Sequence, residues 1–318
     1  MSERPRGYQA LREGAAWLDL TGRGFLRVTG EDRVRLLHAL CSNHIEQLQP
    51  GQGCYAFFLD AQGRILADAH ILRRADDFLI DTEPETARRL AEHIDKYIIA
   101  DDVTVEDLTS QTAVLGVEGP RAAALLEALG APHPESFAQH AVWNGCVVAR
   151  LSATGLVGWR IFAPLERKEA LAGRLEAAGA VRADAEALRI ARLEVGKPRY
   201  GEDFTGEHLP QETQLFHALH FSKGCYLGQE IVERIRSRGH VRRVLLPLFV
   251  HTSEAPPPGA PIHAGGQPAG EITSAAFSPA FSKVVALGYL HQEKMVPGAT
   301  LKILGATATI KAPKPPEA

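Results

Sequence analysis

The 318-residue sequence predicts an α+β fold, with two mixed α+β units followed by an all-β module. Three observations carry this reading. Strand-like and helix-like segments alternate twice before residue 195. A Pro/Gly-rich texture, EAPPPGAPIHAGGQPAGEI, sets in after residue 243. Beyond it only short β-type runs remain (VVALGYL, TLKIL, TATIK), as in a small barrel or sandwich. The length exceeds one ordinary core, so two or three domains are expected.

The elements follow in order. GFLRVTG (24–30) reads as a strand. In EDRVRLLHALCSN, Val34, Leu37, Leu40 and Cys41 recur at helical spacing, and Glu31 and Asp32 sit where the helix dipole favours acids. YAFFLDAQGRILADAHILRR predicts a hairpin turning at Gln62-Gly63. Its second strand puts Ile65, Ala67, Ala69 and Ile71 on one face and Leu66, Asp68, His70 and Leu72 on the other. FLIDTEPETARRLAEHIDKYII predicts a strand, a helix start at Thr82/Glu83-Pro84, and a helix of about 13 residues. QTAVLGVEGPRAAALLEALGA repeats the type as strand, Gly-Pro turn and short helix. CVVARLSATG and GWRIFAPLE read as strands, and RKEALAGRLEAAGA as a helix closed by Gly179. ALRIARLEVGKPRYG begins helical and breaks at Lys197-Pro198. The tail KAPKPPEA is expected to fray.

Composition narrows the function classes. Hydrophobic content of 45% with 23% charged residues is that of a soluble globular protein. The net charge of −3 gives no bulk positive field, so neither nucleic acid nor an acidic membrane is an expected partner. The start, MSERPRGYQALREG, has no apolar signal region, and VLLPLFV is far too short to span a membrane. A cytoplasmic location is expected. Cys41, Cys54, Cys146 and Cys225 lie far apart without a CxxC, so neither a zinc site, a dithiol motif nor a disulfide is read. The His217/His220 pair has no neighbouring ligand at metal spacing, and no metal is assigned.

One stretch concentrates chemistry. In KGCYLGQE, Gly224 and Gly228 bracket Cys225, and Lys223, Tyr226, Gln229 and Glu230 complete the motif. Across 223–243 six Lys/Arg face two Glu. If GQEIVERIRSRG is helical, Cys225 lies just before a helix N-terminus, where cations and the dipole would lower a thiol's pKa. Taken alone, a cysteine of this kind is more often a buried small hydrophobe, and arginines often coat a solvated face. The combination of glycines, cations, amide and carboxylate favours a functional thiol.

KGCYLGQE, with Arg234 downstream, resembles the signature of the YgfZ-type folate-binding proteins. These are relatives of the glycine cleavage T-protein (aminomethyltransferase) that assist iron–sulfur protein maturation. The resemblance extends over nearly the whole chain. It runs through the block GFLRVTGEDRVRLLHALCSNHIEQLQPGQGCYAFFLDAQGRILAD, then VEGPRAAALL, LRIARLEVGKPRYGEDF, LPQETQLFHALHFSKGCYLGQE and GEITSAAFSPAFSKVVALGYL. It implies two ferredoxin-like α+β domains and a C-terminal β-barrel in a ring around a central channel. The expected boundaries are 1–110 (completed by about 195–240), 111–194 and 241–318. It further implies tetrahydrofolate or a derivative as ligand, iron–sulfur enzymes or assembly factors as partners, and a monomer.

The resemblance also assigns residues. Asp68 matches the aspartate at the reactive edge of the folate, where a carboxylate accepts N–H bonds. Tyr55 matches an aromatic lining the site, and Glu194 a partner for the pterin N–H groups. Tyr200 either packs beside the ring or fills core. Arg234 is the candidate cation for the folate's carboxylate tail. Cys225 would receive or relay a group, ligate a cluster transiently with a partner, or act in redox. The alternative is a folate-dependent aminomethyltransferase with Asp68 as its catalytic group. Against that, one of two acidic residues of the T-protein pattern is replaced by Ala67, and its TGYTGE-like stretch by SATGLVGWRIF.

Overall fold

The structure, a computed structural model, describes residues 5–239, 241–294 and 300–312, with Arg238 described by its backbone alone. Most of the tail expected to fray lies outside these residues. The chain opens with α1 (Tyr8–Glu13) and β1 (Ala16–Asp19). The first sheet is then built from β2 (Gly24–Thr29), α2 (Arg33–Leu40), β3 (Gly53–Leu59), β4 (Ile65–Arg73), β5 (Phe78–Thr82), α3 (Ala87–Lys96) and β6 (Thr104–Asp107). Its strand order is β3-β4-β5-β2-β6, all antiparallel. Without the edge strand β3 this is the ferredoxin-like βαββαβ arrangement. The helix α3 starts later than the Pro84 signal suggests. A turn over 83–86 intervenes, closed by the bond from Thr86 N–H to the Glu83 carbonyl.

The second unit repeats the plan with β7 (Thr112–Glu118), α4 (Ala122–Ala128), β8 (His140–Trp143), β9 (Cys146–Ala149), β10 (Gly158–Pro164), α5 (Lys168–Ala177) and β11 (Val181–Ala183). Its sheet order is β11-β1-β7-β10-β9-β8. Thus β1 belongs to the second sheet, inserted between β7 and β11, although it precedes the first sheet in the chain. Residue 110 falls between β6 and β7, and residues 16–19, expected in the first domain, belong to the second sheet. The alternation of Trp17 and Leu18 supplies both faces of that central strand: Trp17 joins the core under α4 and α5, and Leu18 the core shared with α6.

Between sheets and barrel lie α6 (Ala185–Val195) and α7 (Gln229–Arg238). Asp184 caps α6 by accepting from Ala187 N–H, and Gly196 ends it in the left-handed conformation. The closed six-stranded barrel comprises β12 (Arg243–Val250), β13 (Pro261–Ala264), β14 (Gln267–Ser278), β15 (Lys283–His291), β16 (Leu301–Ile303) and β17 (Ala306–Ile310). Among the described residues no helix is long and apolar enough to cross a membrane.

The three units touch pairwise. Phe25 stacks on Phe162 (4.8 Å between centroids) where the two sheets meet. α6 and α1 pack on the barrel through Ile190, Leu193, Leu245 and Tyr289. Asp203, on the segment covering the first sheet, accepts from Thr273 (2.7 Å) and Ser274 (2.5 Å) of the barrel. From Ala67 onward the hairpin faces follow the sequence alternation, but Ile65, expected on the face of Ala67, packs on the opposite face with Tyr55 and Phe57, beside a shift in strand register. Ala67, Ala69 and Ile71 join the core beneath α2 and α3. Asp68 and His70 point the opposite way, and on that face residues 200–232 bury Tyr55 and Phe57.

Candidate functional site

Where the first sheet, the second sheet and α6 converge there is a cavity of about 240 Å³. Tyr55, Asp68, His70, Glu83, Arg160 and Lys197 are among its lining residues, and among the described residues none of the barrel lines it. Its volume lies somewhat below the range typical of small-molecule sites.

Its floor is a buried charge network. Asp81 is fully buried and accepts from Arg160, Arg23 Nε (2.6 Å) and the His70 ring (Nδ1 at 3.2 Å). Arg23 also binds Glu83 (2.5 Å), which is shared with Arg199 (3.0 Å). Burial alone would raise the Asp81 carboxyl, but Arg160 and Arg23 hold it well below the usual carboxylate range. Burial pushes His70 down to about 3, so it stays neutral. One arginine comes from the second sheet and one aspartate from the first, so the network also joins the domains.

Asp68 sits above this floor. Its Oδ2 accepts from Tyr55 Oη at 2.6 Å, while its Oδ1 is buried without a partner. Burial, reinforced by the Glu83 charge, pushes its carboxyl up to about 6. Arg160 Nε, also buried, likewise has no partner. Two residues that line the pocket therefore carry one unsatisfied acceptor and one unsatisfied donor away from water, which is costly without a polar partner. A flat heterocycle offering both an N–H and a carbonyl oxygen matches that pair. At the rim, His217 stacks on Tyr55 (5.3 Å, 23°).

Other expected residues stand elsewhere. Glu194 faces away from the cavity. Its carboxylate is occupied by Tyr8, Arg12 (2.5 Å) and Ser278 (2.5 Å), which clamp α6 to α1 and the barrel. Tyr200 is buried against Phe204 and accepts from Arg89 at 3.2 Å, so it fills core. Arg234 is exposed on α7 and does not line the pocket. The cations that do are Arg23, Arg160, Arg192, Lys197 and Arg199. The signals available for them were an arginine inside the apolar strand GWRIFAP and an aspartate inside FLIDT.

None of residues 223–230 lines the cavity. Cys225 is exposed on the loop before α7. Lys223 turns inward and donates to the carbonyls of His38 (2.5 Å), Cys41 (2.6 Å) and Asn43 (3.0 Å), so its ammonium is an anchor for the loop. Tyr226 is buried, with the Lys223 ammonium 4.8 Å from its ring centre. Gln229 Oε1 accepts from Tyr226 N–H at 3.3 Å, and Glu230 is exposed in the first turn of α7. Gly228 has φ +81° and lies against the hairpin turn, where a Cβ would meet the Asp60 carbonyl at 2.7 Å. Gly224 carries no such demand, since a Cβ there would meet only His38 Nε2 at 3.7 Å. Lys223→Met strips a donor from three carbonyls and is expected to lower stability by about 2–4 kcal/mol in urea denaturation.

Comparison with known proteins fits this architecture. Residues 5–223 match the family profile described as the GCVT N-terminal domain, and residues 242–315 the glycine cleavage T-protein C-terminal barrel domain. The chain belongs to the GCVT family. An aminomethyltransferase of Thermosynechococcus vestitus is 31% identical over 90% of this chain and 79% of its own length. One from Rubrobacter xylanophilus is 28% identical over 90% and 78%. The crystal structure of the glycine cleavage system aminomethyltransferase T from Bartonella henselae matches with a TM-score of 0.88 over 96% of this chain and 88% of that one. At 24% identity that match is a likeness of fold.

Proposed function

We propose that the protein binds tetrahydrofolate or a derivative in the Asp68 pocket, and that it serves as an accessory factor in iron–sulfur protein assembly or repair through the Cys225 thiol. The observation that carries the folate reading is the pair of unsatisfied buried atoms, Asp68 Oδ1 and Arg160 Nε, on two residues that line one cavity. A pterin's N–H groups and carbonyl supply both partners. The Tyr55 face packs the ring, and the cations around Lys197 and Arg199 favour an anionic tail. Family membership and relatives named aminomethyltransferases support the same ligand class. The accessory role rests on KGCYLGQE and on the exposure of Cys225, away from the folate pocket.

The second reading is folate-dependent aminomethyl transfer, favoured by the names of those relatives. Two assays separate them. In cells lacking this protein, wild type should restore the activity of iron–sulfur enzymes, and Cys225→Ser should not. Turnover by the pure protein in a reconstituted glycine-cleavage assay, abolished by Asp68→Asn, would overturn the accessory role in favour of the transferase.

A further inference from the structure

We infer that His38, His44 and Glu46 form a binding site for a borderline divalent metal ion such as Zn²⁺ or Fe²⁺, beside the loop that carries Cys225. One ligand atom from each of the three residues lies within 4.8 Å of the others. His38, in the last turn of α2, is buried, with its Nε2 3.8 Å from Glu46 Oε2. The His38 and His44 rings meet edge to face at 4.6 Å, and His220 packs on His44 at 5.0 Å as a wall.

Two imidazoles and a carboxylate suit zinc, ferrous iron and cobalt. Metal bonds of about 2.0–2.2 Å require the ligand atoms to lie closer than they do here. Glu46, whose side chain is 55% exposed, is free to close that gap. The rings are already positioned, because Ile45 N–H donates to His38 Nδ1 (3.3 Å) and Gln47 N–H to His44 Nδ1 (3.4 Å). Ligation through Nε2 moves each ring proton to Nδ1 and gives up those two bonds. Each bond is then replaced by two donors facing one another, a loss the metal–ligand bonds have to offset. The Lys223 charge opposes a second cation, but its three carbonyl partners absorb much of it. His38 Nε2 lies 3.7 Å from where a Cβ on Gly224 would stand, and Gly224 is next to the exposed Cys225.

The spacing H-x5-H-x-E matches no familiar ligand motif, which is why the sequence gives no metal signal. The test is a titration of the full chain with Co²⁺, read by its visible ligand-field spectrum, followed by displacement with Zn²⁺ in a calorimeter. Wild type should bind one ion per chain. His44→Ala and Glu46→Gln, both at exposed or half-buried positions, should each weaken binding by at least about tenfold. His251→Ala, an exposed histidine on the barrel, serves as control and should not. Absence of saturable binding, or folded His44→Ala and Glu46→Gln variants with affinities within about twofold of wild type, would overturn the site. The inference does not depend on folate binding.

Discussion

Asp81→Asn is expected to destabilise the fold by about 3–5 kcal/mol, the largest loss of any single isosteric change in this protein. Arg160 is 2% exposed and Asp81 is its carboxylate partner. Asparagine keeps the shape but removes the carboxylate paired with the buried Arg160 guanidinium. Arg23 retains Glu83, so the penalty falls mainly on Arg160. Adding Arg160→Met should recover at least half of the loss, because the double variant removes the uncompensated charge. The sign with pH follows from Asp81 being held below its ordinary value of 3.8. Its contribution is complete above that value and fades as the pH falls below it, so wild type and variant should converge only in strong acid. Chemical denaturation at pH 7.5 and pH 4.5 should therefore give the same difference.

Asp68→Asn should act in the opposite direction. The folded carboxyl titrates at about 6 against an ordinary 3.8. Between those values the folded chain retains a proton that the unfolded chain has lost, so stability falls as the pH rises through that window. Above it the penalty is constant. Removing the charge should raise stability by about 1–3 kcal/mol at pH 7.5, and the gain should vanish near pH 4. A melting series from pH 4 to pH 8 reads this directly.

The sequence made the local rules visible and hid the long-range ones. The alternation along ILADAHIL separated Asp68 and His70 from the core-facing Ala67, Ala69 and Ile71, because a strand's period of two needs no tertiary information. The barrel texture was legible for the same reason. The insertion of β1 into the second sheet was not, since its neighbours β7 and β11 lie about 100 and 165 residues away and no local signal encodes that pairing. Of the residues the resemblance assigned to one site, Tyr55 and Asp68 line the cavity and Glu194 does not. On α6 its direction is fixed by Tyr8, 186 positions earlier, and by Ser278 of the barrel. Lys223 shows the same limit. Read as part of a cationic field, it is in fact consumed by three carbonyls from α2 and the loop that follows.

The most direct test of the folate pocket is calorimetric titration of tetrahydrofolate into wild type and Asp68→Asn at pH 7.5. The account predicts one site per chain in wild type and at least about tenfold weaker binding in the variant, the loss of a charge-assisted bond, even though that variant is the more stable protein. No binding by wild type, or equal affinity in the two, would contradict it.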